Sequence, residues 1–309
     1  MIRVIAFIVI YTLGIVFSYS QTKSEDIIVN NDSIILPGTL THNENTKQPL
    51  VIFIPGSGNP DRNGNQPIYN IKPNYIKQLS NELTKNGIAF FRYDKRNVPK
   101  ENIQHILKKY VFTDLVSDVS TIINHFKDDK RFSEIILIGH SQGSLVAMLA
   151  VDKNVSKYIS LAGLGESMDK TIIRQITSQS TDLGKISKQH LDELKNTGTI
   201  KEVNPFLVSL FAKRNHPFLL SYMKYDPTEE IKKVSIPILI INGTKDSQVL
   251  VKDAEALHKA NTNSKLTIIN GMNHVLKHIE NDSDNLKSYT SSDFIISPEL
   301  IKSIVTFAK

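Results

Sequence analysis

Ser141 lies at the centre of Gly139-His140-Ser141-Gln142-Gly143, directly after the apolar run Ile135-Ile136-Leu137-Ile138 and before a helix-compatible stretch from Gln142 to Ala150. A serine between a buried strand and a helix sits on a sharp turn, and glycines two residues to either side relieve the crowding that larger side chains would cause there. This is the G-x-S-x-G nucleophile elbow, in pattern and in context. A helix beginning just after the serine aims backbone N–H groups at the place where negative charge would develop on an attacked carbonyl. The plainer reading is an ordinary glycine-rich turn, and the position at the tip of an apolar strand argues against it.

A serine hydroxyl is a weak nucleophile at neutral pH unless a base takes its proton. Of the 9 histidines, His274 is the expected base. It lies in Asn270-Gly271-Met272-Asn273-His274, a loop following the strand-like Leu266-Thr267-Ile268-Ile269. His140 adjoins the serine and suits pocket shaping better than proton transfer. His278 reads as a surface or supporting residue that could share a helical face with His274, and His258 as a structural residue of a helix. The base in turn needs a carboxylate to fix its tautomer. Asp246 supplies one from Gly243-Thr244-Lys245-Asp246-Ser247, again a loop after a strand, Ile236 to Ile241. The chain order Ser, Asp, His fits the elbow pattern. Asp253 is the nearest alternative, expected within the following helix and facing solvent. No histidine and carboxylate cluster has convincing metal-ligand spacing, so a hydrolytic metal is not expected.

The loop Pro55-Gly56-Ser57-Gly58-Asn59-Pro60-Asp61-Arg62-Asn63-Gly64 follows the continuously apolar Leu50 to Ile54. Glycines there let a backbone N–H approach an oxyanion unobstructed. The expected donors are the N–H groups of Ser57 and Gln142, with Gly58 as a substitute for Ser57. The loop lacks the terminal Gly-Lys-Ser/Thr of a Walker A sequence and is not assigned nucleotide binding. Asp61-Arg62 and Arg92-Tyr93-Asp94-Lys95-Arg96 place opposite charges in neighbouring strand-end loops. Bracing of those loops is the expected role, and recognition of a substrate carboxylate the alternative.

These loops require a framework of strands. The 309 residues are 40% hydrophobic and 22% charged, enough for one substantial core and no sign of wholesale disorder. The net charge of +6 is spread over scattered lysines, with no basic helix or zinc-finger spacing, so no nucleic-acid partner is expected. Arg3 followed by the apolar run Val4 to Phe17, then Ser18-Tyr19-Ser20, predicts a signal peptide over residues 1–20 with cleavage before Gln21. The expected location is secreted or periplasmic, without stable membrane insertion after cleavage; a retained anchor is the competing reading, although the run is short for a spanning helix. The chain has no cysteine, which removes both disulfides and a lipid-bearing cysteine.

Past a polar junction, strands are predicted at Ile34–Leu40, Leu50–Ile54, Ile88–Arg92, Ile135–Ile138, Tyr158–Ala162, Ile236–Ile241 and Leu266–Ile269. Helices are predicted at Tyr75–Lys85, Val111–Phe126, Gln142–Ala150, Val249–Lys259 and Pro298–Phe307. The alternation gives an α/β domain over 21–309, with a mainly parallel sheet covered on both faces. It stops between about 165 and 233, a polar, helix-prone stretch read as a helical cap inserted above the sheet.

With the elbow, Pro55-Gly56-Ser57-Gly58, Arg92 to Arg96, and the Asp246 and His274 loops, nearly all of the mature chain resembles the α/β-hydrolase superfamily, in particular bacterial serine aminopeptidase-like and esterase-like members. The resemblance implies a central eight-stranded sheet with a cap between its later strands, and an acyl-enzyme mechanism needing no cofactor. Pro55 stands where many relatives carry histidine, which touches the subgroup more than the backbone chemistry. The expected function is hydrolysis of a small-molecule ester or acyl substrate through Ser141, Asp246 and His274. A peptidase, a thioesterase or lipase, and an idle hydrolase fold used for binding are the alternatives. A peptidase removing N-terminal residues would need an anionic subsite, and no carboxylate of the cap stands out for one. Phe206, Phe211, Phe218 and Tyr222 could line an acyl pocket, with packing inside the cap the more ordinary role.

Overall fold

The computed structural model describes residues 21–309; the export segment read over residues 1–20 lies outside them. Among the described residues no helix is long and apolar enough to cross a membrane. Among the described residues eight strands form one sheet: β1 Thr22–Asn31, β2 Ile34–Asn43, β3 Gln48–Ile54, β4 Ala89–Tyr93, β5 Phe132–His140, β6 Val155–Leu161, β7 Ile238–Gly243 and β8 Lys265–Ile269. Their order is β1-β2-β4-β3-β5-β6-β7-β8. The β1–β2 and β2–β4 pairs are antiparallel, and every pair from β4 onward across the sheet is parallel.

The continuous apolar runs of the central strands have a direct cause: both faces of the sheet are covered. Leu50, Ile52 and Ile54 of β3 point into one core with Phe91 and Leu137, beneath the helices Phe112–Phe126, Gln142–Ala150 and Val251–Ala260. Val51 and Phe53 point the other way, into a second core with Phe90, Ile136 and Ile138 beneath the helices Tyr75–Lys85 and Pro298–Ala308. The period-2 alternation of side chains thus divides one strand between two cores.

β1 is the strand that hydrophobic patterning missed. It pairs along its whole length with β2, from Thr22 opposite Asn43 to Asn31 opposite Ile34. Only Val29 among its residues is buried. An edge strand this exposed needs no apolar period, and its polar side chains are those expected of a blunted edge.

Between β6 and β7 the chain leaves the sheet and runs through the helices Met168–Gln179, Thr181–Thr197, Val208–Phe211, His216–Tyr222 and Pro227–Glu230. Its aromatic side chains divide in role. Phe211 is fully buried, Phe218 stacks on Tyr110 with ring centroids 4.7 Å apart, and Tyr222 stacks on Phe112 at 4.1 Å. Phe206 instead is 82% exposed. Asp253 also departs from expectation. It lies in the helix Val251–Ala260 but is buried rather than facing solvent, accepting from Arg174 at 2.8 and 3.0 Å and from the Gly165 and Leu250 N–H groups. The reason is its place in the first turn, where a carboxylate receives backbone N–H donors and ties this helix to the inserted segment.

Candidate active site

β5 ends at His140 and the helix Gln142–Ala150 begins two residues later, so one residue must reverse the chain. Ser141 does so with φ 54° and ψ −124°, a region that L-residues populate at a cost of about 1–3 kcal/mol. The neighbouring backbone holds it there: the Ser141 N–H donates to Leu161 O at 2.9 Å and its carbonyl accepts from the Ser144 N–H at 2.9 Å. The two glycines of the elbow are required by close approach. A Cβ on Gly139 would stand 2.3 Å from Gly143 O, and one on Gly143 would stand 2.2 Å from Ile54 O. Because the obstructing atoms are backbone, Gly143→Ala is expected to lower stability by about 3 kcal/mol. In a chain of this size that is a Tm fall of roughly 5 °C. Calorimetry checks this, and an unchanged Tm would contradict the packing described.

The Asp246 and His274 loops leave the adjacent strands β7 and β8 and are laced together. Thr244 N–H donates to Ile269 O at 3.0 Å, and Lys245 N–H to Met272 O at 3.0 Å. Asn242 closes the first loop by donating to Val249 O at 3.1 Å and Leu250 O at 2.9 Å. Within this frame Asp246 has both carboxylate oxygens assigned. Oδ1 accepts from the Gln248 N–H at 2.8 Å and the Val249 N–H at 2.9 Å, while Oδ2 accepts from His274 Nδ1 at 2.8 Å. Both side chains are buried. A proton on Nδ1 leaves Nε2 of a neutral imidazole as an acceptor.

His140 joins the two halves of the site. Its ring is buried, stacked near Phe53 and tilted against Tyr75, and its centroid is 4.8 Å from that of His274. Burial, with His274 nearby, pushes its pKa down to about 3, so it is neutral at ordinary pH. The bond from Nε2 to His274 O, 2.8 Å long, makes Nε2 the protonated nitrogen, because a carbonyl can only accept. His140 therefore anchors the main chain of His274. Its own Nδ1 is buried without a hydrogen-bond partner among the described residues, which ill suits it to shuttle protons.

The glycine-rich loop after β3 closes the third side. A Cβ built on Gly56 would be 3.1 Å from Ser141 Cβ, so the backbone there lies against the serine. Neither the Ser57 N–H nor the Gln142 N–H donates to a protein acceptor among the described residues. The charged neighbours brace the loops as expected. Arg62 grips Asp94 through Nε at 3.1 Å and Nη2 at 2.7 Å, and the Asp61 carboxylate accepts from the Asn63 and Asn65 N–H groups. Arg96 forks onto Asp118 in the helix Phe112–Phe126 with both bonds at 2.7 Å. Tyr222 brings the inserted segment to the elbow: its buried hydroxyl faces the Gln142 side chain without completing a hydrogen bond.

The structure thus joins Asp246 to His274 by a hydrogen bond and brings Ser141, Gly56 and His140 into one cluster with them. Ser141 Oγ makes no hydrogen bond to His274 among the described residues. His278 is half-buried against Gly271 in a non-helical turn, so it shares no helical face with His274, and His258 bonds Ser264 at 2.9 Å away from the site. Among the described residues no three His, Asp or Glu side chains form a metal-ligand group. The sequence pattern pointed to pocket shaping by His140 and loop bracing by the Arg92–Arg96 run, but not to the main-chain carbonyls that His140 and Lys95 reach on loops distant along the chain.

Residues 73–179, which include the elbow, match the family model described as serine aminopeptidase, S33. Esterase EstD of Thermotoga maritima is 26% identical over 263 residues, a match covering 82% of this chain and 60% of EstD. The chain therefore spans about 60% of the length of that curated relative. Among solved structures, Est1E of Butyrivibrio proteoclasticus superposes with a TM-score of 0.57 at 18% identity, covering 91% of this chain and 97% of that one. The Pyrococcus furiosus esterase Pf2001 gives a TM-score of 0.57 at 16% identity, covering 93% and 90% of the two chains. The eight-stranded order, parallel core and elbow give the chain an α/β-hydrolase fold, and it is similar to proteins described as serine aminopeptidases and esterases.

Proposed function

We propose that the protein is a serine esterase that cleaves small carboxylic esters through an acyl-enzyme intermediate. The observation that carries the reading is the Asp246–His274 bond of 2.8 Å beside a serine held at φ 54° on a strand-to-helix turn. In the proposed reaction His274 Nε2 takes the Ser141 proton as Oγ attacks the ester carbonyl, and Asp246 stabilises the imidazolium. The oxyanion is received by the Ser57 and Gln142 N–H groups, which have no protein acceptor among the described residues. The imidazolium protonates the leaving alcohol, and the neutral base then activates water to release the acid. The Ser141–His274 hydrogen bond forms on substrate binding in this scheme, as catalytic bonds often tighten only in the Michaelis complex.

An ester suits the site better than a peptide with a free amino terminus. Such a peptide needs an anionic subsite, yet Glu166 and Asp169, which lead from β6 into the inserted segment, are engaged by Arg174 and Lys195. The family name serine aminopeptidase supports the competing reading, and EstD, named an esterase, supports ours. The test is hydrolysis of p-nitrophenyl esters from acetate to palmitate, run beside aminoacyl p-nitroanilides. Ester turnover exceeding anilide turnover by about 100-fold or more is expected; the reverse order would overturn the esterase reading in favour of peptidase activity.

A further inference from the structure

Lys95 follows β4 by two residues and is 3% exposed, yet it makes no ion pair among the described residues. Its ammonium donates to Gly56 O at 2.6 Å and to Gly58 O at 2.6 Å, the two glycine carbonyls that flank Ser57 in the loop lying against Ser141. Burial depresses its pKa to about 7, so holding this charge is unfavourable by itself. An uncharged side chain of similar length would fill the same space without that cost. The two bonds are what the lysine adds.

Their consequence follows from the planarity of the peptide. Gly56 O and the Ser57 N–H belong to one trans peptide unit and point in opposite directions. An ammonium fixed on the oxygen turns the N–H to the far side and polarises it, strengthening it as a donor. Glycines on both sides of Ser57, with Gly58 at φ 75°, would otherwise let this unit rotate and present its carbonyl in place of its N–H. A carbonyl there would repel the developing oxyanion.

We propose that Lys95 is a positioning residue for transition-state stabilisation, locking the Gly56–Ser57 peptide so that its N–H faces the oxyanion. The inference rests on the serine-esterase reading above. A donor that acts on the oxyanion rather than on bound substrate affects kcat and leaves KM nearly alone.

The experiment is p-nitrophenyl acetate kinetics on the full chain and on Lys95→Met, Lys95→Arg, Ser57→Pro and the Lys95→Met/Ser57→Pro double variant, with Ser141→Ala as reference. Lys95→Met is expected to lower kcat by about 30–100-fold with KM within about threefold. Lys95→Arg, which keeps charged donors, should retain at least about tenfold more kcat than Lys95→Met. Ser57→Pro deletes the N–H itself, so the double variant should be no slower than Ser57→Pro alone. Unchanged kcat in Lys95→Met, additive losses in the double variant, or equal losses in the Met and Arg variants alongside a lowered Tm would each overturn the proposal. If wild-type turnover survives Ser141→Ala, the esterase reading falls and this inference with it. If turnover requires Ser141 but not Lys95, only the inference falls.

Discussion

Ser141→Ala should reduce ester turnover by about 10⁵–10⁶-fold while leaving the fold intact. The substitution removes one oxygen and keeps the Cβ, so the backbone bonds at the elbow, Ser141 N–H to Leu161 O and Ser144 N–H to Ser141 O, are untouched. Ser141 Oγ makes no hydrogen bond to His274 in the resting structure, so deleting it orphans no partner there. Tm should therefore be unchanged or slightly raised, as is common where an active-site group is present for chemistry rather than stability. The covalent step disappears completely, because the variant has no nucleophile to carry the acyl group. The residual rate comes from substrate binding and from the oxyanion donors, which the variant keeps. A fluorophosphonate should label wild type and not the variant, read as a mass increment on the peptide bearing residue 141. Turnover within tenfold of wild type, or labelling elsewhere in the chain, would remove Ser141 from the role proposed for it.

How much of this was legible in the sequence depended on whether a residue's role is local. The elbow is readable because strand, turn and helix are contiguous and the glycines are required by contacts within a few residues, or from the neighbouring β3. Asp246 and His274 are also readable, although far apart, because each directly follows an apolar strand and parallel topology brings strand ends to one edge. β1 was not readable. Its pairing with β2 is a backbone affair, and burial of Val29 alone leaves no apolar period to detect. Asp253 looked solvated because a carboxylate on a helix normally is. The residue that buries it, Arg174, lies in the inserted segment and is reached only through the tertiary fold. Lys95 and His140 fall in the same class. Their bonds go to main-chain carbonyls, of Gly56 and Gly58 for the lysine and of His274 for the histidine. A carbonyl is present at every residue, so no residue type at the receiving end advertises the contact.

The second large effect concerns the carboxylate. Asp246→Asn should lower kcat by about 10⁴-fold without unfolding the protein. The reason lies in how the two oxygens of Asp246 are engaged. Oδ1 receives two backbone N–H groups, from Gln248 and Val249. An asparagine must keep its carbonyl oxygen at that position, since its NH₂ would otherwise face two donors. The amide nitrogen is then placed where Oδ2 stood, 2.8 Å from His274 Nδ1 in the wild-type protein. It can only donate, so His274 Nδ1 must become the acceptor and the imidazole proton moves to Nε2. The nitrogen intended to deprotonate Ser141 is thereby blocked. His140 offers no escape, because its Nε2–H is committed to the His274 carbonyl and its pKa near 3 keeps it neutral. Asp246→Ala separates geometry from charge: it frees His274 Nδ1 to hold either tautomer but abandons the Gln248 and Val249 N–H groups. It is therefore expected to be less stable than Asp246→Asn and yet no slower. Kinetics and thermal unfolding of the two variants provide the check. An Asp246→Asn enzyme within tenfold of wild type would mean that His274 does not act through the tautomer that Asp246 holds.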